Sequence, residues 1–410
     1  MPKQNSLLAL GIATLGLCCA PFVALAQLPL PVVPHDGAKV SIIADGLHDP
    51  RGMVFGPDGD LFVAEAGTTP GIYTPPPGPP IDPATQTRDR CYIYWPLGPT
   101  NGGYTGRISK IDRDGSVTTA ADGLPSDANN TFVGGARMGV GAVAFMGSHL
   151  YALTPGGGCS HSHPRDPNAL LRVFPDGLSI PIADLGAYLS SHIDSKNPTD
   201  TDFEPDGTWY SLVAAYGALY TIEPNHGVMV RVDPHGGITL LANLWEKVKQ
   251  IDADQDGDKT YTALIKHRGS FFIGTLGRGV HDFAAWVYAL SPDGSTIRQI
   301  ASGLRGVLGI AFDRRERLYA LETTGPGLRL TDSAAGAGRL VRVERDGSLN
   351  PIVTNLTFPT ALLPGKRGEF YIANCGYQCD DLSHYPPDRI SLETGQILKV
   401  VIPGSDADPD

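Results

Sequence analysis

Arg51-Gly-Met-Val-Phe55, Gly56-Pro-Asp-Gly59 and Leu61-Phe-Val-Ala-Glu65 decide the fold of this chain. Two short apolar runs flank a turn rich in Pro, Asp and Gly, the chemistry of a hairpin. The pattern then doubles. Gly106-Arg-Ile-Ser-Lys-Ile111, the turn Asp112-Arg-Asp-Gly115 and Val117 to Ala121 follow, closed by Asp122-Gly-Leu124. One unit is therefore four short strands, A to D, joined antiparallel.

Five further units repeat it. Their second strands read Leu-Tyr-Ala-Leu-Thr154, Leu-Tyr-Thr-Ile-Glu223, Phe-Phe-Ile-Gly-Thr275, Leu-Tyr-Ala-Leu-Glu322 and Phe-Tyr-Ile-Ala-Asn374. Each run ends, like Glu65, on one polar residue in the same phase. The sixth unit lacks a fourth strand, and the beginning has a spare one, Val40-Ser-Ile-Ile-Ala-Asp-Gly-Leu47. It carries the signature of the other fourth strands, Thr118-Thr-Ala-Ala-Asp-Gly-Leu124 and Arg298-Gln-Ile-Ala-Ser-Gly-Leu304. The N-terminus can thus complete the last unit and close a ring. The expectation is an all-β, six-bladed β-propeller over 40–403, with an extension at 27–39 and a tail at 404–410.

Strand order places the A–B and C–D turns on one face and the B–C and D–A loops on the other. The long segments are all of the second kind: Ala66 to Thr105, Pro155 to Asn168, Gly186 to Thr208, Trp245 to Tyr261 and Cys375 to Gly395. Long loops on a rigid scaffold are where function concentrates. The Glu/Thr/Asn ring sits at the base of that face.

Residues 1–26 read as a secretory signal. Lys3 supplies a positive start, Leu7 to Val23 is mostly apolar, and Ala24-Leu-Ala26 is a small-residue cleavage site before Gln27. The apolar run is short for a membrane span. Leu17 stands before Cys18 where a lipoprotein needs a small residue. An exported protein without a membrane span follows, periplasmic or extracellular. Its monomeric state is an expectation. The net charge of −11 and the absence of Lys/Arg runs exclude nucleic acid and anionic membrane as partners.

Four cysteines remain after the signal: Cys91, Cys159, Cys375 and Cys379. An oxidising compartment favours two disulfides. Cys91 and Cys159 fall in loops of adjacent blades, and Cys375 and Cys379 in one loop. A four-cysteine zinc site is the alternative.

Several residues can carry chemistry. Glu65, Glu223 and Glu322 lie on alternate blades, so convergence at one mouth would make them metal ligands or acid/base groups. The plainer reading is that each braces the backbone of a neighbouring turn. Glu223-Pro-Asn225-His226 sets an acid, an amide and an imidazole within four residues. Glu204, Asp206 and Trp209 open onto the same face from the preceding loop, and Asn374 completes a substrate-binding set. His226 can act as proton carrier, ligand or plain loop residue. Cys159-Ser-His161-Ser-His163 is a second cluster, too small to define a metal site. Asp252-Ala-Asp254-Gln-Asp256-Gly-Asp258 resembles the first half of an EF-hand-type calcium loop, but its twelfth position is Ala263 in place of Glu.

Pro50-Arg-Gly52, Gly103-Tyr-Thr-Gly-Arg107, Asp202-Phe-Glu-Pro-Asp-Gly-Thr-Trp-Tyr-Ser211, Glu223-Pro-Asn-His-Gly227, Val307 to Phe312 and Phe358-Pro-Thr360 together resemble the ScyD/ScyE family of exported propellers. The resemblance spans nearly the whole chain after the signal. It implies the propeller but no settled activity. More distantly the repeats are similar to NHL proteins, gluconolactonase-type hydrolases, strictosidine-synthase-like proteins and streptogramin lyases. Several of those hold a divalent cation at the central mouth with Glu, Asn and Asp. The corresponding expectation is an enzyme acting on a small organic molecule by metal-assisted hydrolysis or elimination, with calcium as the metal. Its rival is a non-catalytic ligand- or protein-binding propeller.

Overall fold

The computed structural model describes residues 32–68, 101–128, 137–163, 165–192, 206–251, 259–277, 284–324, 336–366, 368–377 and 394–404. Six sheets are present, each with four meander-ordered strands. Blade 1 runs Pro50–Phe55, Leu61–Glu65, Asn101–Ile111 and Val117–Ala128. Blade 2 runs Ala142–Met146, His149–Thr154, Ala169–Val173 and Ser179–Asp184. Blade 3 runs Ser211–Ala215, Ala218–Glu223, Val228–Val232 and Ile238–Asn243. Blade 4 runs Thr260–His267, Ser270–Gly277, Ala284–Leu290 and Ile297–Arg305. Blade 5 runs Val307–Phe312, Leu318–Glu322, Gly338–Val343 and Leu349–Leu356.

Blade 6 takes three strands from the C-terminus, Ala361–Pro364, Glu369–Asn374 and Gly395–Val401. Its fourth is the N-terminal Lys39–Leu47. Val40 lies opposite Val400 and Ile42 opposite Leu398, so the ring is closed by chain ends from opposite termini. The expected propeller is the observed fold. The first strands of successive blades touch in cyclic order and the sixth returns to the first. Two short strands extend the blades beyond four: Arg137–Met138 on blade 1 and Val33–Pro34 on blade 5.

Alternation within each strand directs one set of side chains to each neighbouring blade, and the core is correspondingly divided into one apolar cluster per junction. Leu153, Trp209 and Leu219 fill the junction of blades 2 and 3. Tyr319 of blade 5 packs on Phe370 of blade 6, ring centroids 4.7 Å apart. The A–B turn of blade 1 is tight because Gly59 accepts φ 87°, a conformation that strains a residue with a Cβ.

Two helices replace parts of the expected D–A loops: α1, Leu185–His192, and α2, Leu244–Ile251. Each follows directly on a fourth strand whose last residue caps it. Asp184 Oδ1 accepts the Ala187 amide at 2.7 Å, and Asn243 Oδ1 accepts the Glu246 amide at 3.1 Å. Among the described residues no helix is long and apolar enough to cross a membrane.

Candidate functional site

The six polar ring residues are all buried, from 0 to 1% exposed. Four of them perform one local task. Glu65 Oε2 accepts the His48 amide at 2.6 Å, Glu223 Oε1 that of Thr208 at 2.9 Å, Glu322 Oε1 that of Arg305 at 2.7 Å, and Asn374 Oδ1 that of Thr357 at 2.8 Å. In each case the donor lies 15 or 17 residues upstream, in the segment entering the same blade. The ring thus ties each blade's entry segment to its second strand. A buried amide without such an acceptor would cost about 1–3 kcal/mol.

The three glutamates differ in what balances their charge. Glu65 stands opposite Arg107 in the strand register and receives it in a fork, Nε at 3.0 Å and Nη2 at 2.8 Å, with Ser109 Oγ as a further donor. Glu322 stands opposite Arg339, whose Nε donates to Oε2. Blade 3 breaks the pattern. Glu223 stands opposite Val228, and in place of an arginine its partner is the imidazole of His226, Nδ1 at 2.9 Å from Oε2. The His226 amide donates to the same oxygen at 2.5 Å. Burial pushes the Glu223 carboxyl up, but His226 and the two amides outweigh it and hold the group below its ordinary value. At Glu322 the balance goes the other way: burial dominates over Arg339 and Arg305 and raises the carboxyl.

The sequence leaves open whether the ring carboxylates gather at one mouth, and their contacts follow the bracing reading. Each is turned into its own blade, and Glu65 and Glu322 are already neutralised by arginine. Among the described residues no three His, Cys, Asp or Glu side chains form a set that could hold a metal ion. The ring donor set therefore does not fit a divalent cation. Asn374 likewise is a 1%-exposed brace, not a group presented to a substrate. Trp209 is 0% exposed within the core between blades 2 and 3, so its indole offers no face to a ligand.

Asp206 is also structural in its contacts. Its Oδ2 accepts both the amide and the hydroxyl of Ser160, each at 3.0 Å. That bond belongs to a buried polar seam joining blades 1, 2 and 3. His161 Nδ1 lies 3.0 Å from Asp127 Oδ2, and both side chains are fully buried. His161 Nε2 reaches the Gly207 carbonyl at 3.4 Å, which Asn168 Nδ2 also donates to at 2.6 Å. His163 Nε2 meets the Ser126 carbonyl at 2.8 Å. The His161/His163 cluster is thus spread over separate partners and not convergent on one point. Asn225 is half-buried beside His226.

Glu204, Asp252, Asp254, Asp256, Asp258, Cys91 and Cys379 lie outside the described residues, as do residues 1–26. Cys375 is buried and takes part in a disulfide.

Sequence reading missed the Arg107 and Arg339 partners. The available signal was the Gly-Arg pair in the third strands of blades 1 and 5, Gly106-Arg107 and Gly338-Arg339, against Gly227-Val228 in blade 3. It also missed the seam carboxylate Asp127, which sits at the far end of a twelve-residue strand read as ending near Ala121.

The first strands enclose a central channel of about 320 Å³, lined mostly by backbone and apolar side chains such as Leu212, Leu264, Ile310 and Leu362, with Ser211 and Lys266 also on its wall. Gly52, Gly141, Tyr210 and Thr360 line its loop-side end.

No family model matches the chain, and no curated protein matches it. Among solved structures, a gluconolactonase of Xanthomonas campestris is similar at 12% identity and TM-score 0.49, covering 92% of this chain and 99% of that one. Virginiamycin B lyase of Staphylococcus aureus is similar at 12% identity and TM-score 0.41, over 89% and 99% of the two chains. A chain of a nidogen–laminin complex is similar at 12% identity and TM-score 0.41, over 67% and 86%. At these identities the likeness is one of fold, and the fold carries enzymes and binding proteins alike.

Proposed function

We propose that the protein is an exported propeller enzyme that acts on a small organic molecule by proton transfer at the loop-rich mouth, through the Glu223–His226 pair. One observation carries this reading. Where blades 1 and 5 pair the ring glutamate with an arginine, blade 3 pairs it with an imidazole, a side chain suited to carrying a proton. A carboxylate accepting from Nδ1 sets the tautomer, so Nε2 is the nitrogen that takes or releases a proton. Hydrolysis of an activated ester or lactone, or elimination after proton abstraction, needs such a group. Asn225 is the adjacent polar group for orienting a substrate.

Several finer elements are part of the proposal. Kinship with the ScyD/ScyE family rests on the motifs quoted above, and export rests on residues 1–26. Calcium is assigned to the Asp252–Asp258 segment alone, where it would supply structural order to that loop. Metal analysis of the purified protein, with melting before and after chelation, checks it.

The non-catalytic alternative has its own support: His226 is only 4% exposed. The two are separated by turnover. The purified protein is assayed on a panel of lactones, esters and substrates with a β leaving group, beside His226→Gln and Glu223→Gln. Loss of about a hundredfold or more in His226→Gln, at unchanged melting temperature, is the expected result. Equal turnover in that variant, or none by the native protein, leaves the binding reading.

A further inference from the structure

We infer that the loop-side mouth of the channel holds an anion subsite built on Arg51, which takes the carboxylate of an amphiphilic small molecule whose apolar body lies in the channel. The inference shares with the proposed function only the loop-side location of the ligand and needs no chemistry at His226.

The charge balance of the mouth points there. Asp49, Arg51 and Arg137 are each buried, at 5, 6 and 8% exposure. Asp49 is matched to Arg137, Oδ2 to Nη1 at 3.3 Å. Arg51 has no carboxylate within ion-pairing distance among the described residues. Its one hydrogen bond there is from Nη2 to the Arg137 carbonyl, 2.8 Å. A guanidinium has five donors in a fixed fork, and burying it with most of them unused is unfavourable unless an acceptor arrives. None of its nitrogens is sealed off and unpaired, so the remaining donors lie at its small open surface.

Two phenols frame the same place. Arg51 lies over the Tyr377 ring, 5.8 Å from its centroid. Gly376 brings that ring in: a Cβ there would sit 2.1 Å from Thr360 Oγ1 and 2.2 Å from the Pro50 carbonyl, so only glycine lets the loop pass. Burial raises the Tyr377 hydroxyl to about 12, with Arg51 opposing and Asp49 and Tyr210 adding to the rise. Tyr377 is therefore a neutral donor at ordinary pH. Tyr210 lines the channel itself. Arg51 comes from blade 1, Tyr377 from the loop of blade 6 and Tyr210 from the entry to blade 3.

Below this cap the channel wall is mostly apolar, with Lys266 near the end of the fourth blade's first strand, away from the loop-side entry. Among the described residues Arg51 is the cation at this end of the channel that lacks a carboxylate, and its place beside two phenols and above a mostly apolar wall suits an organic monoanion. A dianion such as phosphate would leave one charge unbalanced in a buried place. Arginine forks match carboxylate geometry.

The test is calorimetric titration of the whole protein with 4-phenylbutyrate and with its neutral isostere 4-phenylbutanol, repeated on Arg51→Gln and Tyr377→Phe. The carboxylate is expected to bind, with the alcohol weaker by roughly tenfold to a hundredfold, the range for one charge-assisted bond. Arg51→Gln should erase that difference. Equal binding of acid and alcohol by the native protein, or binding of neither, overturns the inference. So does an Arg51→Gln protein that keeps the preference. If Arg51→Gln does not fold, the comparison of acid with alcohol on the native protein still decides it. Turnover does not enter this readout, so its failure is distinct from failure of the Glu223–His226 assignment.

Discussion

Glu223 and His226 are joined twice: Glu223 Oε2 accepts both the His226 backbone amide, at 2.5 Å, and the Nδ1–H of its ring, at 2.9 Å. The other Glu223 oxygen holds the Thr208 amide. One carboxylate therefore fixes an imidazole, its own loop and the entry to the blade.

That arrangement predicts an acid-side loss of stability. The Glu223 carboxyl is held below its ordinary value of 4.5 in the fold. A lowered folded value means the stabilisation is fully present above the unfolded value and is lost as pH falls through the folded one. Urea denaturation between pH 7 and pH 3 should show stability declining below about pH 4.5. Glu223→Gln should be less stable at pH 7 by about 1–3 kcal/mol and flatter over that range. An unchanged acid limb in the variant counts against the assignment.

Glu322 should behave oppositely. Burial raises its carboxyl despite Arg339 and Arg305. A raised folded value gives a contribution fully present below the unfolded value and lost as pH climbs through the folded one. Glu322→Gln keeps an acceptor for the Arg305 amide and removes a desolvated charge. Both changes leave Arg339 without its carboxylate, so Glu322→Ala, which also orphans the amide, should cost about 1–3 kcal/mol more than Glu322→Gln at pH 7. Equal costs for the two would show that the charge, not the acceptor, is what the blade needs.

The closing strand gives a third expectation. A chain beginning at residue 39 loses Val33–Pro34 from the edge of blade 5, the bonds of His35 and Asp36 to Thr354 and Asn350, and the small core residue Ala38. A chain beginning at residue 48 loses the whole outer strand of blade 6 and uncovers Leu398 and Ile397. The first should melt within a few degrees of the parent, since a short edge strand contributes little. The second should not fold cooperatively. Cooperative melting of the shorter chain would mean that blade 6 stands without its N-terminal strand.

Asp127 and His161 offer a coupling measurement. The pair is fully buried at 3.0 Å and links blade 1 to blade 2. His161→Ala should cost about 3–5 kcal/mol because it strips a buried carboxylate of this partner. The double change with Asp127→Ala should cost less than the sum, with a coupling of about 1–3 kcal/mol. Additive effects would place the pair outside the stabilising seam.

The blades could be read from sequence because their causes are local. Leu-Phe-Val-Ala-Glu65 alternates for a sheet, Gly59 turns it, and Asp-Gly-Leu47 matches the fourth strand missing at the other end. The helices escaped because eight residues carry little periodicity, and their start depends on Asp184 and Asn243, which double as strand ends.

The sequence by itself determined the ring, its closure by the N-terminal strand and the face that bears the long loops, since strand order alone divides the two faces. It also placed Glu65, Glu223, Glu322 and Asn374 in one phase. Only the tertiary structure decided what they do. Glu65 meets Arg107 and Glu322 meets Arg339 through cross-strand register, and their carboxylates brace loops within separate blades. Glu223 meets His226 because blade 3 puts Val228 at the arginine position. The arginine partners are brought in by cross-strand register and the imidazole by a local turn, so the shared phase of the four ring residues does not by itself say which partner each one meets.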